Sequence, residues 1–194
     1  MQCDDQELLE ASVPDYAEPI LGWRTWFIAE ATGEYRLRSV VYPSVWPAGQ
    51  PLKAVCHCPP RRYATRPWRR RPGHDAVQVT CTCGIYAVDR LERAAVYADI
   101  QPRAGTLRQV VVAGVAALWG RLVVAEHGWR GSRAYPSQLY VARVGRRGSG
   151  PPSEIAADLH RAYAVPVEPL EASTMGTVIE SLRHLKLEAV RRIA

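Results

Sequence analysis

Lysine is almost missing from this 194-residue chain: Lys53 and Lys186 stand against 23 arginines. Its positive charge therefore sits on groups that never titrate near neutrality and that grip phosphate or carboxylate with two N–H donors at once. No apolar run approaches the ~20 residues that a helix needs to cross a bilayer, so no membrane partner is expected. The start of the chain has neither a basic segment nor an apolar one to follow it, so it does not read as a secretory signal. That predicts a cytoplasmic, reducing location, where cysteines serve metals or catalysis more often than disulfides. No P-loop, no GxGxxG run and no Ser-His-Asp set is present. Nor is there a CxxC pair of the kind found in zinc ribbons, and no internal repeat is visible.

What remains is an ordinary globular composition with an uneven charge. Hydrophobic residues make up 47% of the chain and charged residues 23%, enough for a core and incompatible with a disordered tail. The net charge is +6, and the isoelectric point of about 9.3 favours acidic partners, nucleic acid first. Residues 1–20 hold six acids (Asp4, Asp5, Glu7, Glu10, Asp15, Glu18) and no base, which leaves +12 on the rest. They read as an acidic, disordered leader that is either solvated or folded back on a basic face.

From Leu21 the chain alternates bulky and polar residues, with a hairpin turn at Ala31-Thr32-Gly33-Glu34. LKAVCHC (52–58) and VQVTCTC (77–83) read as strands. IYAVDRLERAAVYADI (85–100) carries Ile85, Val88, Leu91 and Ala95 at helical spacing. Residues 107–129 read as two or three strands whose Gly114 and Gly120 mark bulges or close approaches, and SQLYVARVG continues them. Ser153 is placed to cap a helix at 154–163. Pro166 and Pro169 then interrupt the chain, and an amphipathic helix fits 173–193 along Val178, Leu182, Leu185 and Ala189. The fold class is therefore α+β: a curved antiparallel sheet or small β-barrel with a zinc-stabilised hairpin, one inserted helix and C-terminal helices. A β-rich zinc-binding domain would span 21–144, with a C-terminal helical segment, 153–194, packed on it.

The chemistry concentrates in 28 residues. Cys56, His57, Cys58, His74, Cys81 and Cys83 all fall between positions 56 and 83. A tetrahedral zinc with Zn–S bonds of ~2.3 Å holds its sulfurs within about 4 Å of each other. Residues i and i+2 on a flat strand share a face but lie ~6.5–7 Å apart. Both C-x-C pairs must therefore bend to ligate. Gly84 permits that beside Cys81 and Cys83, whereas Pro59-Pro60 stiffens the chain after Cys58. The preferred zinc ligands are Cys56, His74, Cys81 and Cys83, with Cys58 in reserve. Three other readings stand beside this one: cysteines as small apolar core residues, a disulfide, and Cys83 as a nucleophile at a helix N-terminus with His127 as its base.

His74, CTCGIYA (81–87) and GVAALWGRLVVAEHGWRGSRAYP (114–136) together resemble a set of uncharacterised bacterial proteins from high-GC genomes. The resemblance implies no activity, only that the His/Cys cluster and the aromatic hairpin share one domain.

Between the ligand-bearing segments lies PPRRYATRPWRRRPG (59–73), too rich in proline for a regular element. Arg61, Arg62, Arg66, Arg69, Arg70 and Arg71 supply phosphate contacts, and Trp68 a ring on which an unpaired base can stack. Trp23, Trp26, Trp119, Trp129, Tyr135 and Tyr140 belong either to the core or to the mouth of a curved sheet that holds a flat ligand. The function these features favour is a zinc-stabilised nucleic-acid-binding module without chemistry of its own. A protein–protein adaptor, with 173–193 docking a partner, and a Cys83 enzyme are the alternatives, and an acidic protein is the other partner the arginine-rich stretch could take.

Overall fold

The structure is a computed structural model that describes residues 15–31, 33–42, 44–56, 74–99, 106–143, 151–171 and 174–182. Its elements are β1 (Asp15–Ala31), β2 (Glu34–Ser39), β3 (Leu52–Lys53), β4 (Ile85–Val88), α1 (Leu91–Ala95), a 3-10 turn (Val96–Asp99), β5 (Thr106–Ala125), β6 (Gly128–Arg143), α2 (Pro152–Tyr163), β7 (Val167–Leu170) and α3 (Met175–Leu182). The fold is α+β, as the alternating patterns predict. β1 already takes in Asp15–Ile20, the last part of the acidic leader.

Three long strands carry the sheet. β5 is central, pairing with β1 on one side and β6 on the other, both antiparallel. β4 closes a ring by bonding to the remaining edges of both, through Trp23↔Val88 and through Ile85–Val88 against Gly128–Gly131. β2 extends β1 as the hairpin read from Ala31 to Glu34. β7 joins β6 in parallel, so the sheet is mixed, and the C-terminal segment contributes a strand as well as helices. A proline-bearing strand is tolerated there because β7 lies at an edge.

Strand pleating explains the two packed layers. Even-numbered residues of β1, among them Ile20, Trp26 and Ile28, enter a large core inside the ring with Leu118, Leu122 and Leu139. Odd-numbered Trp23 faces the other way, into a second core with Leu91, Tyr140, Val178 and Leu182. Each such side chain contributes about 1.5–3 kcal/mol on full burial. Leu118, Leu139, Ile155 and Leu159 are completely buried. Thus α2 covers the first core and α1 with α3 the second. Val178 and Leu182, half of the stripe assigned to an adaptor helix, are already buried against their own protein.

Both marked glycines have the expected roles. Gly120 adopts φ +73° inside the register shift between Trp119 and Leu122. Gly114 lies where an added Cβ would come within 2.2 Å of the Gln138 carbonyl oxygen.

Three assignments differ from the sequence reading. Ile85–Val88 is a strand, and the helix begins only at Leu91. Pairing on both edges decides a four-residue run whose apolar residues suit either period. Residues 77–83 are turn and coil, with the Cys81 N–H donating to the Gln78 carbonyl at 3.2 Å, so they form no hairpin with the described residues 52–56. Helix α2 starts at Pro152 after Pro151, with no side-chain cap from Ser153; proline's fixed φ suits a first turn.

Candidate metal centre

Four side chains reached from three separate places converge beside the ring. Cys56 follows β3 at the sheet edge, His74 resumes the described chain after 57–73, and Cys81 and Cys83 come from the turn before β4. Their ligand atoms all lie within 4.8 Å of one another. Cys56 Sγ is 3.1 Å from His74 Nε2 and 3.7 Å from Cys81 Sγ, and Cys83 Sγ is 4.0 Å from His74 Nε2. These separations are short enough for all four side chains to reach one metal ion. The bend at Gln78–Cys81 removes the strand geometry that would keep the Cys81 and Cys83 sulfurs apart. All four predicted ligands are therefore brought together; Cys58 lies outside the described residues.

The surroundings suit the four as ligands. No S–S bond joins the described cysteines. His74 Nδ1 lies 3.0 Å from the Asp75 carbonyl oxygen. An N–H there holds the ring in place and leaves the Nε2 lone pair toward the sulfurs, the usual arrangement behind a metal-bound histidine. That carbonyl, first of all, raises the pKa of the His74 ring. Arg130 donates to the carbonyl of Cys83 at 2.8 Å and to that of Cys81, fixing the turn and placing a cation behind two sulfurs. Arg121 donates to the Ala76 carbonyl at 3.0 Å and pairs with Asp75 at 3.5 Å. A small apolar cluster of Ala76, Val77, Ala54 and Val123 packs around the cysteines. Burial, with two neighbouring thiols, pushes the Cys83 thiol up to about 12. A metal would have to displace that proton, so its binding is linked to proton release.

The nucleophile arrangement is not formed. Cys83 precedes a strand, so no helix N-terminus lowers its pKa. His127 sits half-exposed in the β5–β6 turn, 3.4 Å from Glu126. The nucleic-acid residues read from the sequence, Arg61 to Arg71 with Trp68, lie outside the described residues.

Of the six aromatics proposed for core or mouth, Trp23, Trp26 and Tyr140 are buried. One charged residue escaped the sequence reading. Arg24 shares the inward face of β1 with Trp26 and Ile28, and its guanidinium lies 5.3 Å from the Trp46 ring centre. The signal was available: Arg24 falls two residues from Trp26 on a strongly alternating strand, which puts a cation on the core side.

Comparison with known proteins found no matching family model, no similar curated protein and no similar solved structure. Among the described residues no helix is long and apolar enough to cross a membrane.

Proposed function

We propose that the protein is a zinc-stabilised binding module that presents its arginine-rich stretch to nucleic acid. One observation carries this reading: Cys56 and His74, which bracket residues 57–73, meet at 3.1 Å. A metal held there would staple the base of a seventeen-residue loop that contains six arginines, Tyr63 and Trp68. Closing a loop in this way lowers the entropy it must lose on binding. Zinc is the metal chosen by three soft thiolates and an imidazole in a closed tetrahedral set. With four protein ligands, no open position remains for substrate, which supports a structural role.

Salt dependence tests the nucleic-acid reading. If all six arginines meet phosphates of a single strand, the slope of log K against log salt is about −4. Replacing Arg61, Arg66, Arg69 and Arg70 with alanine should reduce that slope by about 3. Fluorescence anisotropy with labelled single-stranded DNA and RNA measures both. No detectable affinity for either at low salt defeats the reading and leaves an acidic protein as the arm's partner.

A further inference from the structure

We infer that a second site lies beside the ring and shares one wall with the cysteine cluster: a pocket for a small organic anion with an apolar body, whose charge is received by Arg24. This inference is independent of the nucleic-acid reading.

The cavity has a volume of about 640 Å³ and opens between β1, β4, the segment after β2 and the β3 edge. Its size suits a single small ligand. Apolar and aromatic side chains line most of it, among them Val40, Val55, Ile85 and Tyr97. Several residues at its rim stay exposed although they are large and apolar, including Val41, Tyr42, Val55 and Tyr97. Exposed apolar side chains clustered at a cavity mouth are a mark of ligand-binding grooves.

Into this apolar space the fold sets two cations, Arg24 and Lys53, and no carboxylate lines it among the described residues. Arg24 is the unusual one. It lies on the inward face of β1, and its partners among the described residues are all neutral. One Nη donates to the Tyr86 carbonyl, the other to Ser39 Oγ at 3.1 Å, and the rings of Trp26 and Trp46 lie 6.0 and 5.3 Å away. Its Nε is buried without a hydrogen-bond partner. The side chain stays partly exposed where it lines the cavity, and desolvation by the protein around it pushes its pKa down to about 10. A partly desolvated guanidinium with no counter-charge among the described residues is costly. An anion in the cavity supplies the missing charge, and the aromatic and aliphatic walls hold the remainder of the molecule. A purely structural arginine needs the Tyr86 and Ser39 contacts but no cavity.

Two fluorescent probes of similar shape separate these roles: 1-anilinonaphthalene-8-sulfonate, which is anionic, and N-phenyl-1-naphthylamine, which is neutral. Wild-type protein should bind one equivalent of the sulfonate saturably. 2-Naphthoate or 2-naphthyl phosphate should displace it at least about tenfold more effectively than neutral 2-naphthol, the range expected when a hydrogen bond to a charged group is at stake. The relative strength of those two competitors separates a carboxylate from a phosphate head group. Arg24→Met should weaken the sulfonate at least about tenfold while the neutral probe binds within about twofold of wild type. Equal displacement by 2-naphthol, or unchanged sulfonate affinity in Arg24→Met, overturns the proposal. If Arg24→Met does not fold, the wild-type competition decides alone.

Discussion

Arg130 shows how a single residue distant in sequence governs the cysteine cluster. Its guanidinium reaches from β6 to the carbonyls of Cys81 and Cys83 and lies 5.9 Å from the Tyr86 ring centre. It therefore holds the turn that makes an i, i+2 cysteine pair usable by one metal. Partners behind metal ligands typically matter by ~10–100-fold in metal affinity. Arg130→Ala should lower zinc affinity by about tenfold, measured by competition with a chromophoric chelator, while the protein still folds. Unchanged affinity would show that the turn holds itself. That Cys56, His74, Cys81 and Cys83 would converge was legible in the sequence, because sulfur spacing in a tetrahedron is restrictive and only one of the two C-x-C pairs is followed by glycine. Arg130 was not legible, since nothing in an alternating strand says which carbonyls its side chain will meet. Arg24 was readable in principle from the inward register of β1.

Among the elements, α2 illustrates how a helix is pinned to this sheet. Its last residue, Tyr163, is buried; its hydroxyl donates to the Trp46 carbonyl at 2.7 Å and accepts from the Leu37 N–H at 3.0 Å. Burial pushes that hydroxyl up to about 12, so it remains a donor across the usable pH range. Trp46 in turn packs edge-on against Trp26 at 5.4 Å and donates to Ser39 Oγ. Tyr163→Phe leaves two buried backbone groups unmet and should cost about 1–3 kcal/mol, read from the urea midpoint at constant m-value. A change under about 0.5 kcal/mol would mean that the pin carries little. The long strands were readable because period-2 alternation persists over many residues. β4 was misread as helix because four residues cannot fix a period, and partners on both its edges decide the outcome. β7 was hidden by Pro166 and Pro169, which forbid a central strand yet suit an edge.

At the scale of the molecule, a cysteine/histidine cluster and a cavity lie side by side against the strand ring. The cysteine cluster stands at the outer edge, where a metal bound to Cys56 and His74 would tie together the two ends of residues 57–73. The Arg24 cavity opens beside it, and Cys83 and Gly84 form part of the cavity wall. The α+β class and the sheet curvature followed from strand patterns punctuated by glycine. Ring closure did not, because it depends on β4 meeting β1 and β6 from distant parts of the chain. The proposed function rests on Cys56, His74, Cys81 and Cys83 acting together as ligands of one metal ion. Metal content tests that most directly. Elemental analysis of the wild-type protein, purified without chelator, should find about one equivalent of zinc, as a closed four-ligand site requires, and Cys81→Ser should carry far less. Less than about half an equivalent in the wild type, or equal zinc in the two proteins, would contradict a structural zinc centre at Cys56, His74, Cys81 and Cys83.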